Sequence, residues 1–226
     1  MKNLLSIIRV ILLVVLIISP GYLAAQDGSA LTDAVAYQDL DKVKELVKAG
    51  EDLNFQTEAY GYTALYMACS YNFVDIAKHL IENGADVSIK AHDGRTALMG
   101  AAVISEELFD LLVAKGADIT VKLEDGTSAF TMSIIGVLSE YVGLGNAKKL
   151  LENGADVDEA ATSGPTEGYT CLMMAAGNKR PDIAKFLLEE GANVNAKSAD
   201  GSTPLSMAEK NDDPEMVALL KELGAK

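Results

Sequence analysis

Two cysteines, two histidines and 33 carboxylates are the residues of this 226-residue chain that could carry nucleophilic, metal or acid–base chemistry. Their spacing assembles none of these. His79 and His92 have no clustered third ligand, and two cysteines are too few for a Cys-rich zinc module. Gly143-Leu144-Gly145 lacks the strand-to-helix context of a nucleotide loop, and no Gly-Lys-Ser or Gly-Lys-Thr phosphate cradle occurs. No Gly-x-Ser-x-Gly nucleophile elbow occurs either. The acids read as solvated helix faces and caps, and a hidden carboxylate pair is the one route left to an enzyme. Met67, Met132, Met174 and Met207 share one helical register and read as core filler, not as a metal or redox box. The expectation is a chain with no catalytic residue, no cofactor and no metal.

Charge narrows the partner. The chain carries 19 basic and 33 acidic residues, a net charge of −14, which argues against nucleic acid because a phosphate backbone needs a basic face. It favours a protein partner with a basic surface, drawn in by long-range attraction. The first 25 residues are of different composition. Lys2 gives a positive start, Val10–Ile18 is an unbroken apolar run, Ser19-Pro20-Gly21 breaks it, and Ala24-Ala25 offers small residues to a peptidase. The run is short for a membrane span of roughly 20 residues and fits a signal peptide cut after Ala25. A periplasmic or secreted protein is then expected, touching a membrane only through this segment before cleavage. The alternative is an uncleaved N-terminal anchor, with Arg9 reaching the interface.

The elements that position everything else come from an internal repeat. Gly61-Tyr62-Thr63-Ala64-Leu65 recurs at Gly94-Arg95-Thr96-Ala97-Leu98, Gly126-Thr127-Ser128-Ala129-Phe130, Gly168-Tyr169-Thr170-Cys171-Leu172 and Gly201-Ser202-Thr203-Pro204-Leu205. A second marker follows at fixed offset: Asn83-Gly84-Ala85-Asp86-Val87, Lys115-Gly116-Ala117-Asp118-Ile119, Asn153-Gly154-Ala155-Asp156-Val157 and Glu190-Gly191-Ala192-Asn193-Val194. Each Thr or Ser after the first Gly can cap a helix by accepting an orphan backbone N–H. Small residues follow at one register, Ala68, Ala101, Ser133, Ala175 and Ala208, where neighbouring helices can approach closely. A second, amphipathic helix carries Ile76, Ala77, Leu80 and Ile81, or Ile183, Ala184, Leu187 and Leu188. The Gly of the second marker sits where a left-handed helix cap is needed, and Asp93-Gly94, Asp125-Gly126 and Asp200-Gly201 are turn dipeptides.

These two markers closely resemble the ankyrin repeat, over nearly all of the chain from Leu31 onward. The resemblance implies an all-α solenoid, an ankyrin-repeat stack of helix pairs with β-turn fingers, of about six units including caps. The expected layout is a signal peptide over 1–25 and a repeat domain over 26–226. Within it lie an N-terminal cap at 31–60, repeats at 61–93, 94–125, 126–167 and 168–200, and a C-terminal cap at 201–226. Atypical end units are expected where a repeat has one neighbour and faces water on its other side. With both ends capped, a monomer is expected.

The sequence departs from the family pattern at three places. The His that follows the motif Leu is absent, its places holding Tyr66, Met99, Thr131, Met173 and Ser206, which puts the family's hydrogen bonds between fingers in doubt. The third repeat carries two insertions, one within 136–145 that lengthens its first helix or inter-helix turn, one within 159–167 that lengthens a finger. Cys171 stands at the motif Pro position, three repeats from Cys69. With stacked helices spaced roughly 10 Å, the two thiols should lie about 30 Å apart, too far for a disulfide.

The resemblance also implies use: fingers and first helices of such stacks line a concave face that binds other proteins. The residues of this chain expected on that face are Tyr62, Tyr66, His92, Arg95, Met99, Tyr169 and Met173, with Tyr and Arg as the strongest contact types. His92 at a finger tip is equally an ordinary turn residue. The resulting expectation is an exported interaction module that regulates or inhibits another periplasmic protein. A membrane-anchored adaptor is the alternative if the leader stays, and an enzyme with an unrecognised carboxylate site is the remote one.

Overall fold

The computed structural model describes residues 28–226. The signal-peptide reading of residues 1–25 lies outside the described residues. These divide into two compact units, 28–121 and 122–226. In the first, helices pair in sequence: α1 (Ala30–Ala36) with α2 (Leu40–Ala49), α3 (Ala64–Ser70) with α4 (Val74–Glu82), and α5 (Ala97–Ile104) with α6 (Glu106–Ala114). The second repeats the pattern with α7 (Ala129–Leu138) and α8 (Gly145–Glu152), α9 (Cys171–Gly177) and α10 (Pro181–Glu189), and α11 (Pro204–Lys210) and α12 (Pro214–Glu222). Among the described residues β pairing is limited to isolated bridges, Lys90 with Thr96, Lys122 with Ser128 and Ala160 with Thr170.

Each first helix starts where a hydroxyl can cap it. Thr63 Oγ1 accepts from the Tyr66 amide at 3.0 Å, and Thr96 and Thr170 do the same for the Met99 and Met173 amides at 3.3 Å. Such a cap is worth about 1 kcal/mol. The second helices end in the left-handed turn that the Gly-Ala-Asp marker anticipates. After α4, Gly84 takes φ 95°, its N–H reaches Ile81 O at 3.1 Å and the Ala85 N–H reaches Leu80 O at 3.0 Å. Two otherwise orphaned carbonyls are thereby satisfied.

Packing follows the small-residue register. Ala68 and Ala101 are fully buried where α3 meets α5, and Ala175 and Ala208 where α9 meets α11. The amphipathic helices form the second layer: α4 buries Ile76, Ala77, Leu80 and Ile81, and α10 buries Ile183, Ala184 and Leu187 with Leu188 half-buried. Each fully buried aliphatic side chain contributes about 1.5–3 kcal/mol. Ser133 holds the small position on α7; its buried hydroxyl donates back to Phe130 O at 2.7 Å, so the polar atom is satisfied inside the helix.

The insertions appear where the third repeat is overlong. Helix α7 runs ten residues against seven for α3, so the first insertion adds most of a helical turn and a loop before α8. Arg180, ahead of α10, donates from Nη1 to Val137 O at 3.1 Å while Asp182 holds its Nε and Nη2 at 2.9 and 2.7 Å. One carbonyl near the end of the longer α7 is thus capped by the next repeat. The second insertion forms a single 3-10 turn, Gly164–Thr166.

Candidate functional site

In the unit of residues 28–121, the finger before α3 and the start of α3 bring three tyrosines into a ladder. The rings of Tyr60 and Tyr62 stack with centroids 5.3 Å apart, and those of Tyr62 and Tyr66 at 4.4 Å, with interplanar angles of 16° and 19°. Stacked aromatic pairs of this kind add about 0.5–1.5 kcal/mol beyond the area they bury. Tyr62 reaches the ladder from the extended approach to the cap residue Thr63. Tyr66 reaches it from the first turn of α3, one turn beyond Tyr62. At the far end of α3, Tyr71 and Phe73 stack at 5.8 Å.

Arg95, one finger on, closes the hydroxyl edge of the ladder. Its guanidinium interacts with the Tyr66 hydroxyl, and Tyr66 in turn with the hydroxyl of Tyr62. Arg95 Nε lies 3.2 Å from Asp93 Oδ2, close enough to pair in charge though not aligned as a hydrogen bond. Burial, then the neighbouring Tyr66 and Asp93, hold the Tyr62 hydroxyl far above its ordinary pKa, so it stays a neutral donor and acceptor. The two fingers are locked by backbone: His92 N–H donates to Tyr60 O at 2.9 Å, and Gln56 Nε2 donates to Gly61 O at 2.8 Å and Lys90 O at 2.9 Å. Gly61, with φ 68°, fits because it has no side chain; a Cβ there would lie 2.5 Å from the His92 ring.

Of the expected contact residues, the structure brings together Tyr62, Tyr66, Arg95 and His92. Tyr62, Tyr66 and Arg95 are half-buried, and His92 is an exposed finger-tip residue. Met99 and Met173 require correction. They were expected nearer the groove and are fully buried, at 1% and 0% exposure, because a long, flexible apolar side chain at this register can fold back into the core, where Tyr66 and Thr131 stay half-buried. Tyr169, in the unit of residues 122–226, is half-buried and its hydroxyl donates to Asp200 Oδ2 at 3.4 Å. Sequence reasoning also missed Tyr60, the third ring of the ladder. The signal was available: Tyr60, Tyr62, Tyr66, Tyr71 and Phe73 crowd a 14-residue stretch of a chain with 8 Tyr and 5 Phe.

A second cluster, in the unit of residues 122–226, was missed altogether. The Glu159 side chain is 3% exposed. Its Oε1 accepts from the hydroxyl of Ser128, from Thr131 Oγ1 at 2.6 Å and from Thr131 N at 3.1 Å, while Oε2 lies 3.3 Å from Lys122 Nζ. Every element has a local cause. Ser128 is the cap of α7, Thr131 stands where the family has His, and Glu159 precedes the bridge residue Ala160 as apolar Val121 precedes Lys122. An acid in an otherwise apolar register was the available signal. The arrangement binds the elongated finger to the helix of its own repeat. It offers no open position for a substrate, since each oxygen is already engaged. Cys171 lies beside it, buried; burial and then the Glu159 charge raise its pKa, against a hydrogen bond with Thr131 that lowers it. Cys69 is equally buried, which pushes its thiol up to about 12, and both cysteines are free. Among the described residues there is no group of three or more His, Cys, Asp or Glu side chains placed to hold a metal ion.

The ankyrin-repeat model, described as three copies of the repeat, matches residues 31–122 and 138–226. The chain belongs to the ankyrin-repeat family. The gap between the two matched spans falls on the finger and most of α7, where the third-repeat marker is most divergent. The human ASB11 ankyrin repeat domain has a similar structure, with a TM-score of 0.72 and 29% identity over 88% of this chain and 85% of that one. Neurogenic locus notch homolog protein 1 from Danio rerio is 29% identical over 188 residues, and the human protein 28% over 199 residues. Those matches cover 83% and 84% of this chain but 7% of each Notch protein, so the likeness is to a small part of those proteins. The fold class is the all-α ankyrin-repeat solenoid, and ankyrin repeats generally mediate protein–protein interaction.

Proposed function

We propose that this ankyrin-repeat protein is an exported interaction module that binds and regulates another protein of the same compartment through the finger-and-first-helix surface around Tyr62. The observation that carries the reading is the Tyr60–Tyr62–Tyr66 ladder closed by Arg95. Three stacked rings held at a finger and a first helix contribute little to the buried core of α3, which Leu65, Met67 and Ala68 already fill. Rigid Tyr and Arg side chains with few rotamers left to lose are the groups that lose least on ordering at an interface. Export rests on the leader-like residues 1–25, and among the described residues no helix is long and apolar enough to cross a membrane.

The test places a photo-crosslinking amino acid at Tyr62 and, as control, at exposed Lys185 on α10, in cells that make the protein. Expected is one crosslinked protein from Tyr62, reduced when Arg95 is changed to Ala, and none from Lys185. Equal crosslinking at both positions would overturn the assigned surface. Amino-terminal sequencing of the purified protein should begin at Gln26; an intact Met1 in the membrane fraction would favour the anchored adaptor instead.

A further inference from the structure

The ladder has two unlike ends, and the open one points to the chemistry of the partner. At the Tyr66 end the protein supplies its own cation, Arg95, at the hydroxyl edge. At the other end Tyr60 is the terminal ring, 44% exposed, with one face covered by Tyr62. Two exposed carboxylates lie near it along the backbone, and both oxygens of the second, Asp93, are turned to Arg95. Glu58 lies two residues earlier in the same turn, and Asp93 follows His92, whose amide is bonded to Tyr60 O. Residues 28–121 hold fifteen acids against seven bases, so the field over this unit is negative.

Resting on the interaction-module reading above, we propose that the outer face of Tyr60 seats one arginine or lysine side chain from a basic segment of the partner. An aromatic face attracts a cation through its quadrupole, and stacking on Tyr62 fixes the ring so that little freedom is lost on binding. The net negative field of the unit brings a basic segment in faster than a neutral one. A partner carboxylate is disfavoured at the same place, since it would enter the same negative field with Arg95 already paired to Asp93.

The test uses the full chain and two defined peptides, alternating Ser-Arg and its uncharged isostere alternating Ser-citrulline. Binding is read by tyrosine fluorescence, which is unobscured because the chain has no Trp. A third probe is a displayed library of random peptides selected on the same protein. The wild type should bind the arginine peptide at least tenfold more tightly than the citrulline one. Tyr60→Ala should weaken it about five- to tenfold, Tyr60→Phe should not, and Glu58→Gln, which removes one charge of the negative field, should weaken it and reduce its salt dependence. Arginine binding unchanged by Tyr60→Ala would overturn the seat. Selection of acidic or neutral peptides whose binding fails on Tyr62→Ala would overturn the cationic chemistry while leaving the interaction surface standing. A library that yields no peptide dependent on any ladder residue would overturn the seat and the interaction surface together.

Discussion

Glu159→Ala should destabilise the protein by about 2–3 kcal/mol. The carboxylate accepts three hydrogen bonds, from the Ser128 hydroxyl, the Thr131 hydroxyl and the Thr131 amide. The amide is not orphaned by truncation, because it also lies 3.2 Å from Ser128 Oγ. Lys122 is 51% exposed and returns to water at little cost. What remains is two hydroxyls deprived of a charged acceptor, each bond worth about 1.5 kcal/mol or somewhat more. Thr131 is half-buried and recovers part of its loss through water. Glu159→Gln keeps one acceptor oxygen and loses the charge, so about 1 kcal/mol is expected. Urea unfolding followed by circular dichroism measures the total. Hydrogen exchange over residues 160–167 locates it, since repeat proteins open locally as well as globally. A double-mutant cycle with Thr131→Val should give a coupling of about 1–2 kcal/mol. A Glu159→Ala protein within about 0.5 kcal/mol of the wild type, with unchanged exchange in that finger, would refute the claim that the carboxylate holds it.

Three further outcomes follow from the same structure. Neither Cys69 nor Cys171 should react with a thiol reagent in the folded protein at neutral pH, and both should react once it is unfolded; fast labelling of either in the native state would contradict their burial. Asp200, held by the Ser198 hydroxyl and then the Ser202 amide and hydroxyl, has its pKa lowered from 3.8 to about 2. Because the folded value is the lower one, its contribution to stability is present above the ordinary Asp range and is lost as pH falls toward 2, so the Ser202 amide resonance should titrate near 2 and not near 3.8. Ser133→Ala should be neutral or stabilising by up to about 1 kcal/mol, since donor and helix back-bond disappear together and the other first helices carry Ala there; thermal unfolding decides it.

Residue spacing made the helix pairs legible because each marker has one physical job. Thr or Ser caps a helix, Ala permits close approach, and Gly takes a left-handed turn, and none of these depends on distant context. The ladder was half legible. Tyr62, Tyr66 and Arg95 stood out by type and register, whereas stacking of Tyr60 needs the finger's backbone path. Met99 and Met173 were misplaced because Tyr66, at the same register, does face outward. A long, unbranched apolar side chain can fold back into the core, and a tyrosine whose hydroxyl needs a partner cannot do so as cheaply. Glu159 was illegible as a contact because its partners lie about 30 residues away in sequence and meet it only when the inserted finger closes.

The missing motif His ties these observations together. Without it the fingers remain registered through main-chain bonds: His92 N–H to Tyr60 O at 2.9 Å in one unit, and Thr162 N–H to Asp125 O at 2.8 Å and Ala199 N–H to Glu167 O at 3.1 Å in the other. A main-chain link tolerates a wide range of side chains, proline excepted at the donor, so alignment of the fingers no longer constrains the vacated position. That position is used in four ways: Tyr66 in a stacked ladder, Thr131 on a buried carboxylate, Met99 and Met173 in the core, and Ser206 bonded back to its own cap residue Thr203. Only the first of these faces outward with unspent recognition chemistry. The second fastens an elongated finger, and the third fills volume. The proposed surface for another protein is therefore drawn at the repeat where an aromatic side chain at this position remains in reach of water.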